Sequence, residues 1–258
     1  MTSRDELPTP ATPRRFPAGA DRTGVATVLL TCLLFMASRA AADSADPAPV
    51  LVELFTSQGC SSCPPADRLL TRLVEQDRVI ALAFHVDYWN YIGWTDPFSS
   101  KTWSDRQRGY AAVFGSNRIY TPQLVVNGRW EAVGSDAREV DRLLRDARGS
   151  LRDELSLEIE ESTAGLTVRL SAPGPMGARR AWLAVAESGF ETPVGRGENA
   201  DHTLRNDNVV RRLEAVELGK HVPVELDSEW RRDRLRLVAF LQDSKTLAVT
   251  AATQARLP

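Results

Sequence analysis

The sequence predicts an α/β domain at residues 50–150, followed by a smaller antiparallel β-sandwich-like domain at residues 151–258. In the first part, short apolar runs alternate with amphipathic helical patterns, as in a sheet covered by helices. In the second part, apolar and polar residues alternate with a period of two, which is typical of strands with one buried face. A pair of cysteines, Cys60 and Cys63, lies between the first strand and the first helix and marks a candidate reactive site.

Residues 1–42 have the features of a leader with an export signal. An apolar run at 24–37 follows several arginines and precedes small residues suited to signal peptidase. We therefore expect an exported protein, periplasmic or secreted, with a linker at residues 43–49. The run has about 14 residues, whereas a membrane span needs roughly 20. An uncleaved membrane anchor is the alternative.

The charge and the cysteine content of the chain limit which partners and which chemistry we expect. The chain has 32 basic and 34 acidic residues and a formal net charge of −2, and the two signs are interspersed. Nucleic-acid-binding proteins present a basic face, so we expect no nucleic-acid partner. Of the three cysteines, Cys32 lies in the apolar run of the expected signal. The mature protein is therefore expected to hold a single dithiol.

The elements of the first part follow from periodicity. The helix that follows the cysteines has apolar residues at helical spacing on one face. Asn127 and Gly128 lie between two apolar runs in the segment 120–133, which predicts a turn, a strand, a hairpin turn and a strand. The other expected elements are strand 50–55, helix 64–75, strand 79–86, helix 101–114 and a closing helix 135–147, ended by Gly149.

Both cysteines lie at a predicted helix N-terminus. There the free backbone N–H groups and the positive end of the helix dipole stabilise a thiolate, the form of cysteine that attacks disulfides. The pair therefore predicts a redox-active dithiol. A structural staple is one alternative, although closing so short a loop stabilises by only about 2 kcal/mol. A metal site is another, but the chain offers no second Cys-x-x-Cys and only three histidines, so we expect neither metal nor cofactor.

Residues 48–149 resemble the thioredoxin superfamily. Its members carry Cys-x-x-Cys at the start of a helix and a cis-proline before the strand that enters the last hairpin, and Cys60, Cys63 and Thr121-Pro122 match these two elements. More closely, the segments 53–67, 85–89 and 120–123 are similar to an exported, thioredoxin-like family of unassigned function, domain of unknown function 1223. The resemblance implies a thioredoxin-like fold for residues 50–150.

The resemblance also implies roles for individual residues. Cys60 is expected to be the exposed attacking thiol and Cys63 the more buried resolving thiol, with Pro122 in a cis bond beside them and Thr121 preceding it. Glu53 is the candidate proton acceptor for Cys63, because an acid on the first strand fills that role in several superfamily members. Its spacing departs by one residue from the usual arrangement. The alternative for Glu53 is an ordinary carboxylate with a salt-bridge partner.

Aromatic residues crowd the segment after the second strand and suggest contacts to substrate. Trp89 and Trp94 could form an apolar lip that contacts an unfolded or peptide substrate. His85 ends a strand that we expect beside the first, so it could lie near Cys60. The alternative for the two tryptophans is a small satellite core under a long loop. The alternative for His85 is a structural histidine whose hydrogen bonds are satisfied within the protein.

The second part carries no motif of known chemistry. Its Gly-rich loop at 195–202 lacks a phosphate-binding context, so we treat it as a connection or as a contact with the first domain. The expected strands are 155–160, 166–170, 182–186, 222–226, 235–241 and 246–250.

The leading hypothesis is an exported thiol–disulfide oxidoreductase that acts on protein or small-molecule thiols and disulfides. A membrane-bound electron donor or acceptor is a candidate partner, and the direction of electron flow is open. The alternative is a non-catalytic periplasmic binding or assembly module with a thioredoxin-like fold, which recognises a partner protein or a metal. A thiol with a depressed pKa and a reversible disulfide would distinguish the first hypothesis from the second.

Overall fold

The computed structural model describes residues 48–163 and 165–257. The expected export signal at residues 1–42 lies outside this range. These described residues belong to one unit by their internal contacts. No helix in the described ranges is both long enough and apolar enough to cross a membrane.

The described residues form thirteen strands and three α-helices. In chain order they are β1 (Val50–Thr56), α1 (Pro64–Val74), β2 (Val79–His85), α2 (Lys101–Val113), β3 (Gln123–Val126), β4 (Trp130–Val133), α3 (Ala137–Ala147), β5 (Ser156–Ser162), β6 (Gly165–Ser171), β7 (Arg179–Glu187), β8 (Phe190–Pro193), β9 (Thr203–Asn206), β10 (Val209–Val216), β11 (His221–Pro223), β12 (Leu235–Asp243) and β13 (Val249–Arg256).

One mixed sheet of eight strands connects the two halves of the chain. Its strand order is β13-β12-β7-β10-β2-β1-β3-β4. β1 runs parallel to β2 and antiparallel to β3, and β2 pairs on its other side with β10. This last pairing is short, with Ala83 opposite Val209, and the Asn208 side chain adds a hydrogen bond of 2.8 Å to the Ala81 carbonyl. The sheet therefore continues from the first half of the chain into the second.

The predicted fold class is wrong. The chain does not form a thioredoxin-like α/β domain followed by an antiparallel β-sandwich, because the described residues are mostly β and four later strands, β7, β10, β12 and β13, extend the first sheet. Periodicity identifies strands but not their partners. β7 and β12 are buried along nearly their whole length, as central strands covered on both faces are.

Layers on both faces of the sheet bury its strands. The helices α1 and α3 cover one face of β1 to β4, and α2 covers the other face through Trp103 and Tyr110. On the same face as α1 and α3, a small sheet of order β11-β6-β5 covers the strands of the second half of the chain. Its residues Val168 and Leu170 pack against Leu183 and Leu237. The N-terminal end of α1 therefore lies over the carboxyl ends of β1 and β2, where the cysteines are.

The Asn-Gly hairpin is confirmed between β3 and β4. Asn127 and Gly128 both have positive φ, 47° and 62°, as the two-residue hairpin turn requires. The Asn127 side-chain oxygen accepts a hydrogen bond of 2.7 Å from the Leu51 amide, and the Asn127 carbonyl accepts one from Val249. The turn therefore links the hairpin to β1 and to β13 as well as reversing the chain.

Candidate functional site around the Cys60–Cys63 disulfide

Cys60 and Cys63 form a disulfide at the start of α1, with their Cα atoms 5.4 Å apart. Cys63 is the N-cap residue, and its carbonyl accepts hydrogen bonds from the Ala66 and Asp67 amides. Pro64 follows as the first helical residue, where its missing N–H costs no hydrogen bond. The cysteines thus lie at a helix N-terminus, as the sequence predicts, at the positive end of the helix dipole. The first turn offers them no free N–H group, because Pro64 and Pro65 have none and the Ala66 and Asp67 amides bond to the Cys63 carbonyl.

Both cysteines are fully buried in the disulfide form, at 0 % exposure. The resemblance implies an exposed Cys60, and the structure differs on this point. The two residues between the cysteines, Ser61 and Ser62, are exposed instead. The loop around the sulfurs therefore faces solvent through its serines, while other parts of the chain cover the cysteines.

Thr121 and Pro122 lie next to the disulfide. The Thr121–Pro122 peptide bond is cis, as the resemblance implies. The Ser62 hydroxyl lies 3.4 Å from Cys60 Sγ and donates a hydrogen bond of 3.5 Å to the Thr121 carbonyl. Trp89 Nε1 donates to Thr121 Oγ1 at 2.7 Å. Four of the predicted site residues, Cys60, Thr121, Pro122 and Trp89, are therefore brought together.

Trp94 bonds to Gln58, two residues before Cys60. Its Nε1 donates to Gln58 Oε1 at 3.2 Å, and it packs so closely on Gly197 that a Cβ there would be 3.2 Å from Trp94 Cβ. Trp94 therefore connects the cysteine loop to the second half of the chain. Tyr91, which is 83 % exposed, is the large aromatic side chain of this segment that faces solvent.

A loop from the second half covers the disulfide, and we call residues 194–202 the covering loop. Asn199 is buried, and its side-chain amide donates to the carbonyls of Gln58 and Cys60 at 2.9 and 3.0 Å. Glu198 accepts a hydrogen bond of 3.1 Å from the Ser61 amide, and this bonding holds the pKa of Glu198 below its usual range. The contact with the first half that the sequence allowed for this loop is confirmed.

His85 is fully buried beneath the cysteine loop. Its Nδ1 lies 2.7 Å from Asp96 Oδ2, which also accepts a hydrogen bond from the Gln58 amide at 2.8 Å. Burial opposes the charged imidazolium, but the charge and hydrogen bond of Asp96 outweigh it and raise the pKa of His85. His85 therefore supports the loop from within and presents no surface to a bound substrate.

Asp67 is a buried carboxyl that the sequence reasoning missed. It accepts a hydrogen bond of 2.8 Å from Thr56 Oγ1 and lies one helical turn after Cys63, on the same face of α1. Burial raises its pKa to about 6, although the nearby charge of His85 and the bond from Thr56 act in the other direction. An acid on the apolar face of α1 is the signal that could have identified it.

Glu53 is not brought together with Cys63. Its neighbours Val52 and Leu54 face α1, so the Glu53 side chain lies on the opposite face of the sheet. There it pairs with Arg106 at 2.5 Å and accepts a hydrogen bond from the Tyr110 hydroxyl. The salt-bridge alternative therefore describes Glu53, although β1 is a central strand.

A known protein family matches most of this chain. The model for the family described as protein of unknown function (DUF1223) matches residues 51–242. The chain belongs to the DUF1223 family. The match extends from β1 to β12, so it includes the cysteine pair, the cis-proline segment and the covering loop of this DUF1223 protein.

Two solved structures are similar to this DUF1223 protein. Protein AGR_C_4864 from Agrobacterium tumefaciens is 28 % identical, with a TM-score of 0.60, over 80 % of this chain and 94 % of that one. HBP35 of Porphyromonas gingivalis is 14 % identical, with a TM-score of 0.56, over 82 % of this chain and 76 % of that one, and this likeness concerns the fold alone. A search of curated proteins finds no match. Within the described ranges of the DUF1223 protein, no group of three or more His, Cys, Asp or Glu could hold a metal ion.

Two carboxyls that contact α1 predict opposite responses of stability to pH. The pKa of Asp67 is raised to about 6, so the native DUF1223 protein binds this proton more tightly than the unfolded chain, and stability falls as pH rises from about 4 to 6. Asn cannot lose that proton. We therefore compare the free energy of unfolding of Asp67→Asn with that of wild type in urea at each pH. The difference should shift in favour of the variant by about 3 kcal/mol when the pH is raised from about 3.5 to 7.

Asp207 provides the matched comparison. Burial opposes its ionisation, but hydrogen bonds from Thr71, Arg205 and the Gly189 amide keep its pKa below the usual range. Its stabilisation is present above the unfolded pKa and is lost as pH falls. Asp207→Asn should therefore be destabilising at pH 7, with a difference from wild type that shrinks in acid. Parallel pH profiles for the two variants would contradict this assignment.

Proposed function

We propose that this protein is an exported thiol–disulfide oxidoreductase whose reactive pair is Cys60 and Cys63. The observation that carries the proposal is the disulfide between these residues at the N-terminus of α1. A helix N-terminus favours the thiolate that forms when such a bond is reduced. Export rests on the leader at residues 1–42. The relationship to the thioredoxin superfamily is proposed for this site and not for the fold.

The proposed chemistry is disulfide exchange. The Cys60 thiolate attacks one sulfur of a substrate disulfide, and the other substrate sulfur leaves as a thiolate that takes up a proton. Cys63 then loses its proton and attacks Cys60 Sγ, which forms the Cys60–Cys63 bond and releases the second substrate sulfur as a thiol. Two electrons pass from the dithiol to the substrate, and the reverse sequence oxidises a substrate dithiol.

Residues around the cysteines support both steps. The Ser62 hydroxyl is within reach of Cys60 Sγ and can donate a hydrogen bond to its thiolate. Trp89 and Thr121 form the adjacent wall on the other side of this hydroxyl. Because both sulfurs are buried, a substrate sulfur reaches Cys60 only after the residues around it have moved. We expect the covering loop, which is bonded to the Cys60 carbonyl through Asn199, to be the part that opens.

The second candidate function is a non-catalytic binding or assembly module. The observations that favour it are the complete burial of both cysteines and the hydrogen bonds of Asn199 and Glu198 to the cysteine loop. In that case the disulfide holds the loop in place, and the exposed residues Ser61 and Ser62 contact a partner protein.

Trapping distinguishes the two functions. With Cys63→Ala, Cys60 can attack a substrate disulfide but nothing resolves the product, so we expect mixed disulfides that a reductant releases. The matched variant Cys60→Ala should trap far less, because the remaining thiol is the resolving one. Equal trapping by both variants would contradict the assigned roles. A Cys60→Ser/Cys63→Ser variant that keeps full biological function would favour the binding module.

A further inference from the structure

A group of polar side chains fills the space between α1 and the carboxyl ends of β1 and β2. Thr56 and His85 are direct neighbours across the parallel β1–β2 pair, and both side chains lie on the face that carries α1. Thr56 donates to Asp67, and His85 bonds to Asp96. All four are buried. We call Thr56, Asp67, His85 and Asp96 the buried polar cluster.

The buried polar cluster has one open hydrogen-bonding position. His85 Nε2 is buried and has no partner among the described residues, while Phe98 contacts the ring with a centroid distance of 5.4 Å. The charged groups that act on Asp67 are His85, Asp96 and Arg68, and those that act on His85 are Asp96 and Asp67. A set of interacting ionisable groups with an open position is suited to holding an exchangeable proton.

Cys63 adjoins this cluster through α1. Cys63 and Asp67 are four residues apart on the buried face of the helix, and the Asp67 amide donates to the Cys63 carbonyl at 3.1 Å. Side chains at this spacing are neighbours, with Cβ atoms about 5–6 Å apart. Glu53 lies on the other face of the sheet. Asp67 is therefore the carboxyl on the Cys63 side.

We infer that Asp67 is the proton acceptor for the Cys63 thiol and that the His85–Asp96 pair sets the charge that Asp67 experiences. The inference rests on the proposed function, because it assigns the proton that Cys63 releases when it resolves a mixed disulfide. In that step the Cys63 S–H proton passes to the Asp67 carboxylate, and the Cys63 thiolate attacks Cys60 Sγ. The departing substrate thiolate takes its proton from solvent, and Asp67 later returns its own proton to solvent.

The charges of the cluster favour this transfer. With His85 protonated, the ionised cluster holds two carboxylates and one imidazolium, a net charge of −1, and one more proton brings it to zero. A neutral cluster is less costly in a buried site than a charged one. Burial raises the pKa of Asp67 to about 6, so the carboxyl is ionised at neutral pH yet closer to a thiol in basicity than an exposed acid is.

The first test needs no substrate. In the full chain with Cys32→Ser and Cys60→Ser, Cys63 is the remaining cysteine, and the ultraviolet absorbance of its thiolate reports its ionisation. The ionised Asp67 disfavours a second negative charge, so Asp67→Asn should lower the pKa of Cys63 by about one to two pH units for charges about 6 Å apart. Asp207→Asn is the matched control and should leave this pKa in place. Equal pKa values in the Asp67→Asn and Asp207→Asn variants would overturn the inference.

The second test follows the resolving step in the protein with both cysteines. The rate at which Cys63 releases a mixed disulfide with glutathione should fall below about pH 6 in the unsubstituted chain, because protonated Asp67 accepts no proton. Asp67→Asn should remove this inflection, and the rate should then follow the ionisation of Cys63 itself. His85→Gln removes the positive charge that lowers the pKa of Asp67, so it should move the inflection to higher pH.

The outcomes separate the inference from the proposed function. A chain that forms no mixed disulfide contradicts the oxidoreductase, while the thiolate titration still decides whether Asp67 and Cys63 are coupled. A chain that resolves mixed disulfides with the same pH profile in the Asp67→Asn variant contradicts the inference alone. If Asp67→Asn does not fold, Thr56→Val replaces it: loss of the Thr56 hydrogen bond should move the inflection to higher pH, and an unmoved inflection would count against Asp67.

Discussion

We expect Arg106→Ala to lower the free energy of unfolding by about 3–5 kcal/mol. The Arg106 guanidinium pairs with Glu53 at 2.5 Å, and both side chains are nearly buried, at 10 % and 1 % exposure. It also donates to the Tyr110 hydroxyl and to Gln242, and it lies over the rings of Phe84, Tyr110, Trp182 and Phe240 at 5.3–5.9 Å. Removing it leaves Glu53 as a buried charge without its cation.

The position of Arg106 explains why this effect is large. Glu53 and Tyr110 belong to the first half of the chain, whereas Gln242 lies on β12 in the second half. The guanidinium therefore joins α2 and β1 to β12, a strand that the sequence placed in a separate domain. Burial lowers the pKa of Arg106, but the charges and hydrogen bonds of Glu53 and Tyr110 together raise it further, so the guanidinium stays charged at every relevant pH.

Arg142→Ala is the control for loss of an arginine. Arg142 makes two short ion pairs with Glu139 and Asp146, but all three side chains are exposed. Exposed pairs contribute about 0–1 kcal/mol, so this variant should unfold almost as the parent does. Urea unfolding of both variants measures the contrast. A loss below about 1 kcal/mol for Arg106→Ala would show that the Arg106 guanidinium does not hold the two halves together.

The second large effect concerns access to the disulfide. We expect Asn199→Ala to speed reduction of the Cys60–Cys63 bond by a small dithiol about 30-fold. Asn199 donates two hydrogen bonds to the cysteine loop, and their loss favours local opening by about 2 kcal/mol. Both cysteines are buried in the closed form, so the rate of reduction follows the fraction of molecules in which the covering loop is open.

Arg196→Ala tests whether the position within the covering loop matters. Arg196 is exposed in the same loop, and its removal takes no hydrogen bond from the cysteine loop. Its disulfide should be reduced at the rate of the parent protein. Alkylation of the released thiols, followed over time, measures all three rates. If Asn199→Ala reacts no faster than Arg196→Ala, the covering loop does not control access.

The local pattern of the sequence was sufficient for most elements of the first half. The helix after Cys63, the Asn127-Gly128 hairpin and the strands on either side of them lie where periodicity and turn residues predict. These features depend on neighbours a few residues apart. The order of strands in the sheet depends on pairing between distant segments, as between Ala83 and Val209, which no local pattern specifies.

Continuous apolar runs were the overlooked signal in the second half. The strands β7 and β12 are apolar on both faces, which is typical of strands inside a layered sheet and not of a small sandwich with one wet face. Treating them as ordinary alternating strands led to the separate sandwich. The short strands β8 and β9 and the whole of β10 (Val209–Val216) were not predicted.

The candidate site was predicted in part. The cysteine pair, Thr121-Pro122 and Trp89 come together as expected. The cysteines lie at the start of a helix and Thr121-Pro122 directly before a strand, and the local sequence pattern predicts both of these elements. The faces of the sheet were harder to assign, since a shift of one residue moves a side chain to the other face. Glu53 lies on the face of the sheet away from Cys63. Asp67 lies on the buried face of α1 beside Cys63, and from the sequence it was predicted only as a residue of that helix.

The most direct test of the redox assignment is equilibration of the mature protein with glutathione, with the fraction of Cys60–Cys63 disulfide measured at each ratio. We predict a reversible two-electron couple and a Cys60 thiol more acidic than free cysteine. A potential near about −120 mV would identify an oxidant, and one near about −270 mV a reductant. A disulfide that does not re-form after reduction, or that opens only when the protein unfolds, would contradict the oxidoreductase.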